Sequence, residues 1–176
     1  MQQLYDWLRF QMMRVGFALR DHVVQPGQVL SDIGLEEGQT VLDFGCGPGS
    51  YVFEAARLVG PQGTVYAADR NSVAVHHIEH KAEEYGFKHV IPLHTEAQTT
   101  LPDASVGVVL LFDVYHELAE PGRVRAELHR VLKPDGLLAV SDHHMEREEL
   151  ERALTADGLF RLQEVRDRTY LLRPGA

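Results

Sequence analysis

Three glycines and a carboxylate lie close together in the segment Asp43-Phe44-Gly45-Cys46-Gly47-Pro48-Gly49, directly after the short run Thr40-Val41-Leu42. A strand that runs into a glycine-rich loop and then into a helix typically holds a nucleotide-like cofactor on bare backbone. The glycine spacing is G-x-G-x-G, whereas a dinucleotide loop requires G-x-G-x-x-G to place a pyrophosphate at a helix N-terminus. Because the Asp43 carboxylate would repel a pyrophosphate, the loop favours a cationic ligand.

A second carboxylate, Asp69, ends the next apolar run, Val65-Tyr66-Ala67-Ala68. An ionised carboxylate offers two acceptor oxygens to a cis-diol such as a ribose. An acid at this position could instead cap the following helix or form a turn. Taken together with the glycine loop, Asp69 favours cofactor binding.

A third group of polar side chains follows two later apolar runs, 106–112 and 137–141. Its members are Asp113, Tyr115, His116, Asp142, His143 and His144. In open α/β sheets ligands bind beyond the carboxyl ends of the strands, so these side chains could face one pocket. Histidine exchanges a proton near neutral pH, which makes His116 and His143 the candidate general bases. The candidate substrate contacts are Tyr5, Asp113, Tyr115 and Asp142. Capping and turn formation are the alternative roles for each of them.

Alternating apolar patterns predict the elements that position these residues. The predicted strands are 40–44, 64–68, 90–93, 106–112, 137–141, 160–165 and 169–172. The predicted helices are 50–59, 72–85, 123–132 and 146–156, and 133–136 is a predicted turn. This alternation predicts an α/β fold with a doubly wound parallel sheet, and the last two strands are close enough to form a hairpin.

The N-terminal stretch predicts an amphipathic helix. Its apolar residues at helical spacing are Leu4, Leu8, Met12, Val15 and Leu19. After a break at Pro26 and Gly27, a short helix to about Ile33 is expected. We expect a single domain over 1–176 in which 1–30 forms a lid or cap over the cofactor, although simple packing on the sheet is an equal alternative.

Composition sets further limits. The net charge is −9 and there is no basic block, which weighs against a nucleic-acid partner. Cys46 is the single cysteine, so no intramolecular disulfide forms, as is typical of a reducing compartment. The apolar stretch 106–112 is too short to span a bilayer, and Asp6 and Arg9 interrupt the N-terminal stretch as no signal peptide would. We therefore expect a cytoplasmic protein, either a monomer or a homodimer.

These features resemble the class I S-adenosylmethionine-dependent methyltransferases over roughly Asp32 to the C-terminus. The loop 43–49 is similar to motif I of that family, and Asp69 to its second acidic element. Leu101-Pro102-Asp103-Ala104-Ser105 and Leu132-Lys133-Pro134-Asp135-Gly136 resemble two recurring family segments. Within that family, the chain resembles the small-molecule methyltransferases of the ubiquinone and menaquinone biosynthesis type.

The resemblance implies a Rossmann-like, seven-stranded sheet with helices on both faces, strand order 3-2-1-4-5-7-6 and one antiparallel strand. It also implies S-adenosylmethionine as cofactor and S-adenosylhomocysteine as product. The implied cofactor residues are Asp43, Gly45, Cys46, Gly47, Gly49, Asp69, Arg70, Glu96, Ala97 and Phe112. In this interpretation Asp69 holds the ribose, and Glu96, where relatives usually carry Asp, meets the adenine.

The activity implied by the resemblance is methyl transfer to a small-molecule acceptor by in-line displacement. Relatives that methylate nucleic-acid amines carry Asp/Asn-Pro-Pro-Tyr/Phe after strand four, where this chain has 113–116, and relatives that methylate arsenic need several cysteines. Catechol-type relatives hold a divalent metal with two acids and an amide. Because His143 replaces that amide beside Asp113 and Asp142, no metal site is expected.

Two alternatives to an independent methyltransferase remain open. The chain could be a regulatory or partner subunit that binds S-adenosylmethionine without catalysis, which would be indicated if residues 1–20 and 113–117 filled the acceptor pocket. It could also be a nicotinamide-dependent oxidoreductase, although the glycine spacing speaks against that activity.

Overall fold

The computed structural model describes residues 7, 8, 10–16 and 24–175. The chain forms two compact units, residues 1–96 and 97–176. Its seven strands, numbered along the sequence, form one sheet in the order β3-β2-β1-β4-β5-β7-β6, which confirms the predicted fold class and strand order. The grouping of residues 1–176 into a single domain stays a prediction.

The first unit alternates helices and parallel strands. Its elements are α1 (Pro26–Asp32), β1 (Thr40–Phe44), α2 (Ser50–Val59), β2 (Thr64–Asp69), α3 (Ser72–Tyr85) and β3 (Val90–His94). β2 pairs in parallel with β1 on one side and β3 on the other. Val41 and Leu42 of β1 are fully buried, as are Val52 and Val59 of α2. Burial on both strand faces is the usual reason for the continuous apolar runs of parallel sheets.

The ends of α3 follow local rules. The side chain of Asn71 accepts a hydrogen bond from the main-chain N–H two residues further on, at 2.9 Å, and so caps the first turn. At the other end Gly86 adopts a left-handed φ of 73° and stops the helix. Ala74, Ile78 and Ala82 form the buried stripe between them. Both predicted helix ends are therefore confirmed.

The N-terminal residues 7, 8 and 10–16 are helical, as predicted. The described members of the predicted apolar stripe, however, are exposed: Leu8 by 49%, Met12 by 76% and Val15 by 64%. Phe10 lies on the opposite side of the helix and is only 2% exposed. Helical spacing finds an apolar face but does not reveal which face has a partner. Leu4, Tyr5 and Leu19 lie outside the described residues.

The second unit contains the other end of the sheet. Its elements are β4 (Val106–Phe112), a 3-10 turn (Tyr115–Glu117), α4 (Pro121–Val131), β5 (Leu132–Ser141), α5 (Arg147–Thr155), β6 (Phe160–Arg166) and β7 (Thr169–Pro174). β4 and β5 are parallel, whereas β7 runs antiparallel to both β5 and β6. The predicted closing hairpin and its antiparallel strand are confirmed.

One strand begins well before its predicted start, whereas the others differ from their predicted bounds by at most two residues. β5 begins at Leu132, five residues before the predicted start. Leu132 pairs with Val106, and the next pair in register is Leu137 with Val108, so the four residues 133–136 bulge out of the ladder. The predicted turn thus sits inside a strand, because pairing resumes on both sides of it. Apolar patterns cannot show such re-pairing.

A buried acid fastens α4 to the segment before β4. Glu127 is 5% exposed, and its Oε1 accepts hydrogen bonds from Thr99 N at 2.7 Å and Thr99 Oγ1 at 2.6 Å. Arg130 donates to both carboxylate oxygens, at 2.7 and 2.9 Å. Burial raises the pKa of Glu127, but the hydrogen bonds from Arg130 and Thr99 outweigh it, so its pKa lies below the usual value.

No helix within residues 7, 8, 10–16 and 24–175 has both the length and the apolar character to cross a membrane.

Candidate functional site

The loop after β1 depends on three glycines in the left-handed region, with φ of 84° at Gly45, 51° at Gly47 and 92° at Gly49. Residues with a Cβ occupy this region only at a cost of about 1–2 kcal/mol. At Gly49 there is also no space, because a Cβ would lie 2.5 Å from Ile78 Cδ1 and 2.7 Å from Phe53 Cε2. The loop therefore turns tightly against α2 and α3.

Backbone hydrogen bonds fix the same loop to the end of β2. Gly45 N and Cys46 N both donate to the Ala68 carbonyl, at 2.7 and 3.0 Å. Gly47 N donates to Asp69 Oδ2 at 2.9 Å, and Asn71 N donates to Asp69 Oδ1 at 2.8 Å. The structure thus brings Asp69 and the glycine loop together and aligns the carboxylate with two amides.

The loop lies in a region of negative charge. Asp43 is 3% exposed at the end of β1. The Cys46 thiol is buried, and its pKa is raised well above the usual value by burial, followed by the negative charges of Asp69 and Asp43. Two carboxylates therefore act on the loop from β1 and β2, and a cationic ligand would relieve their repulsion.

The N-terminal helical residues lie against this loop. Met13 Cε is 3.6 Å from the position that a Cβ on Gly47 would occupy. The Phe10 ring meets the His77 ring of α3 edge-on, with 5.3 Å between centroids. Part of the glycine loop is therefore covered by residues 10–16.

The predicted adenine-side residues lie near the ends of β2 and β3. The Arg70 carbonyl accepts a hydrogen bond from His94 Nε2 at 2.9 Å, and Thr95 N donates to the Asp69 carbonyl at 3.0 Å. The side chains of Arg70 and Glu96 are exposed beside this junction. Of the other two predicted cofactor residues, both in the second unit, Ala97 is half-buried and Phe112 is buried at the end of β4.

In the second unit, two aspartates hold two histidines across neighbouring loops. Asp142, which follows β5, accepts from His116 N at 3.0 Å and His116 Nδ1 at 2.9 Å through one oxygen, and from His144 N at 3.0 Å through the other. Asp113, which follows β4, accepts from His143 N at 3.0 Å and His143 Nδ1 at 2.8 Å. Each acid therefore orients the histidine of the other loop.

These hydrogen bonds determine which ring nitrogen of each histidine can take up a proton. A carboxylate only accepts hydrogen bonds, so Nδ1 of both rings must carry the proton, and Nε2 is then the atom that can take up another. The His116 side chain is 26% exposed and that of His143 is 47% exposed. His116 Nε2 is 3.8 Å from Glu117 Oε1, and the His144 ring centroid is 4.3 Å from that of His116.

The structure brings both predicted bases together with the predicted contacts Asp113 and Asp142. The sequence reasoning missed that these acids orient the histidines. The sequence places an aspartate and a histidine in each loop, as Asp113-x-x-His116 and Asp142-His143, but this spacing indicates the pairs only weakly. Neither aspartate bonds the histidine nearest to it in sequence.

The third predicted contact, Tyr115, points elsewhere. Its side chain is buried, and its hydroxyl donates to the Ala153 carbonyl at 3.3 Å and accepts from the Arg125 guanidinium. Arg125 also pairs with Asp157 at 2.6 Å. These contacts support a structural role for Tyr115.

Within the part of the chain that the structure describes, no three His, Cys, Asp or Glu side chains are grouped to hold a metal ion.

Comparison with known proteins identifies the chain. The sequence model of a family described as a methyltransferase domain matches residues 35–169. The chain belongs to this family. Its fold and relatives place it among the class I S-adenosylmethionine-dependent methyltransferases.

A methyltransferase of this type from Aquifex aeolicus has a solved structure, with 32% identity, a TM-score of 0.77, and coverage of 84% of this chain and 89% of that one. A solved structure from Methanococcus maripaludis shares the fold, with a TM-score of 0.77 at 11% identity over 97% of this chain and 92% of that one. An arsenite methyltransferase from Aquipseudomonas alcaligenes is 34% identical over 109 residues, which are 57% of this chain. The chain spans about a third (32%) of the length of that relative.

The methyltransferase uses S-adenosylmethionine, and the observed loop fits that cofactor. Gly45, Gly47 and Gly49 leave the loop backbone without side chains, and the carboxylates of Asp43 and Asp69 suit the positive charge of the sulfonium and ammonium groups. The same acidic surroundings disfavour a pyrophosphate, in agreement with the glycine spacing.

Proposed function

We propose that this methyltransferase transfers the methyl group to a small-molecule acceptor by in-line displacement, with His116 as the general base. The observation that carries this proposal is the buried Asp142 carboxylate, which holds His116 by Nδ1 and leaves Nε2 to accept a proton. When bound, S-adenosylmethionine supplies an electrophilic methyl carbon on a positively charged sulfur.

On the donor side, most of the residues that hold the cofactor belong to the first unit. Asp43 and the 45–49 loop take its methionine part, and Asp69 takes the ribose. The two amides on Asp69 fix the carboxylate in place without exhausting it, since an ionised carboxylate has about four acceptor sites. Arg70, Glu96 and Ala97 flank the adenine, and Phe112 contributes backbone at the end of β4.

On the acceptor side, His116 is favoured over His143 because its acid is the better buried. The Asp142 side chain is fully buried and accepts three N–H groups, whereas the Asp113 side chain is 15% exposed. A carboxylate shielded from water orients the ring more firmly and stabilises the imidazolium more strongly. His116 Nε2 would take the proton from an acceptor hydroxyl or protonated amine.

Arsenite, which the name of one relative indicates for that protein, is a weaker candidate acceptor here. Trivalent arsenic is soft and binds thiolates. Cys46 is the single cysteine of the sequence, and its buried thiol has a raised pKa, so it is held in the protonated form. A hydroxyl or amine acceptor agrees better with two oriented histidines.

The main alternative is a subunit that binds the cofactor but does not catalyse. The partly exposed imidazoles of His116 and His143 argue for catalysis, since purely structural Asp–His pairs need no exposed Nε2. We further expect residues 10–16 to act as a lid, because Met13 already lies against the glycine loop.

The test begins with parallel calorimetric titration with S-adenosylmethionine, S-adenosylhomocysteine and NAD. We expect both sulfur compounds to bind and NAD not to bind. Methyl-labelled S-adenosylmethionine is then incubated with small-metabolite, protein and nucleic-acid fractions, and label should enter the first fraction only. His116→Gln should abolish transfer with cofactor binding intact, and His143→Gln is the matched control. Binding without transfer to any fraction would favour the non-catalytic subunit.

A further inference from the structure

A cationic groove of about 420 Å³ lies on the first unit, beside the glycine loop. Its cationic side chains come from three helical segments: Arg14 from residues 10–16, Arg57 from α2 and Lys81 from α3. His77 of α3 also lines the groove. Glu54 is the acidic residue in its lining. Such a concentration of positive charge stands out in a chain whose net charge is −9.

The lining stays net positive, because three cationic side chains face the single carboxylate of Glu54. Arg57 pairs with Glu54 within α2, and Lys81 Nζ pairs with Glu84 at 2.7 Å within α3, where the Lys81 side chain is 27% exposed. Exposed pairs of this kind contribute only about 0–1 kcal/mol, so an incoming anion can compete for either cation. Arg14 donates to Gln11 Oε1 at 3.0 Å and has no carboxylate partner among the described residues.

His77 lies close to the cations of the groove. Its pKa is lowered by burial first, and then by the charges of Arg14, Lys81 and His80. Cations from the N-terminal helical segment and from α3 therefore act on one point inside the groove.

We propose that this groove binds the phosphate group of a small phosphorylated molecule. A guanidinium matches phosphate oxygens with paired N–H donors, and an ammonium adds a compact charge. The volume exceeds that of a phosphate group and falls within the usual range for small-molecule sites. The rings of Phe53 and Tyr85 also line the groove, which gives the remainder of the ligand an apolar surface.

Occupation of the groove acts on the cofactor loop through the N-terminal segment. Arg14 directly follows Met13, which lies against Gly47. An anion that joins Arg14 to Lys81 and Arg57 holds residues 10–16 over the loop. Cofactor and anion then favour the same arrangement, so each strengthens the binding of the other. This coupling rests on the assignment of the glycine loop to the cofactor, whereas binding of the anion itself does not.

The experiment uses pyrophosphate as the probe and sodium chloride at matched ionic strength as the reference. Thermal unfolding is measured for the wild-type protein, for Arg14→Gln/Lys81→Gln, and for Lys88→Gln, an exposed lysine of the same unit outside the groove. We expect pyrophosphate to raise the unfolding temperature of the wild-type protein and Lys88→Gln, and to leave the double variant unchanged. Equal stabilisation of all three proteins, or of none, would overturn the proposal.

Calorimetric titration with S-adenosylhomocysteine, with and without pyrophosphate, tests the coupling. We expect pyrophosphate to increase the affinity roughly fivefold or more in the wild-type protein and not in the double variant. Competition between the two ligands would show that the groove belongs to the cofactor site and would also overturn the proposal. Neither measurement needs a methyl acceptor, so failure of the proposed catalytic function would be seen separately, as binding of S-adenosylhomocysteine without methyl transfer.

Discussion

The glycine loop of the first unit and the histidine loops of the second unit are built in different ways. The course of the 43–49 loop is set by left-handed glycines and by amides that bond the Ala68 carbonyl and Asp69. The loops 113–117 and 142–144 are joined by side chains, with each aspartate bound to the histidine of the other loop. Substitutions in the first region are expected to disturb the chain path, whereas substitutions in the second change side-chain pairs and leave the backbone in place.

This difference suits the donor and acceptor sides of the proposed reaction. A donor site that serves one cofactor can be fixed in the backbone, where only the type and spacing of a few residues matter. An acceptor site built from side chains can change its chemistry by single substitutions while the strands below it stay in place. The four predictions below test this contrast, in order of decreasing effect.

The largest effect is expected for Asp142→Asn. An amide in place of the carboxylate offers one acceptor oxygen to three N–H groups and no longer stabilises a protonated His116. We expect kcat to fall by roughly 10²–10⁴-fold with little change in KM. The measurement is the steady-state rate with the acceptor found in the labelling screen.

Two controls separate orientation of His116 from general loss of structure. Asp113→Asn removes the negative charge beside His143 and should lower kcat much less. An acceptor analogue that is already deprotonated needs no base, so the deficit of Asp142→Asn should shrink with it. Equal losses with both kinds of acceptor would contradict the assigned role of Asp142.

Gly49→Ala tests the backbone side of the contrast. Left-handed strain and the close contacts with Ile78 and Phe53 together should cost roughly 2–5 kcal/mol of stability. Gly86→Ala is the matched control, because Gly86 has a φ of 73° but no atoms near its Cβ position, and it should cost only about 1–2 kcal/mol. Urea unfolding measures the free energy of unfolding of both variants. Similar decreases in the two would show that Ile78 and Phe53 move aside for the new methyl group.

The same contrast explains what could be predicted from the sequence. β1, the glycine loop and the ends of α3 depend on local rules for glycine, asparagine and apolar runs, so the predicted strand 40–44 and the predicted helix 72–85 have the observed bounds. The start of β5 at Leu132 and the exposed stripe at Met12 depend on partners distant in sequence. Local spacing contains no information about such partners.

The roles of the site residues follow the same division. Asp69 could be placed beside the loop, since it ends a strand that pairs with β1. The exchange of partners between Asp113 and Asp142 could not be predicted, because each acid has a histidine closer in sequence than the one it binds. Only tertiary structure decides between the two.

Asp69→Asn probes the carboxylate that binds the amides of Gly47 and Asn71 at the donor loop. An amide has a single acceptor oxygen, so the bonds to Gly47 N and Asn71 N cannot both be kept, and the negative charge is lost. We expect affinity for S-adenosylhomocysteine to fall roughly 10–100-fold, as for the loss of one or two charged hydrogen bonds. Calorimetric titration measures this change, and the unchanged affinity of an Asp32→Asn control would show that net charge alone is not responsible. An unaltered affinity in Asp69→Asn would contradict the assignment.

The smallest effect concerns Glu127 of the second unit. Its side chain binds Thr99 and Arg130, whereas the glycine loop of the first unit is held by backbone hydrogen bonds. Folding lowers the pKa of Glu127, so its contribution to stability is complete above the unfolded value of about 4.3 and is lost as the pH falls through the folded value. Glu127→Gln should cost roughly 1–3 kcal/mol at neutral pH and progressively less in acid. Glu120→Gln, which removes an exposed pair with Arg123, should change little.

Hydrogen exchange makes the comparison between the two regions direct. The amide of Thr99 depends on the ionised Glu127, whereas those of Gly45 and Cys46 donate to a carbonyl that does not titrate in this range. As the pH falls through the folded pKa of Glu127, protection should therefore decrease at Thr99 before it decreases at the glycine loop. Simultaneous loss of protection at Thr99 and at the glycine loop would mean that acid unfolds the whole molecule at once. The side-chain bonds of Glu127 and the backbone bonds of the loop would then not differ in their response to acid.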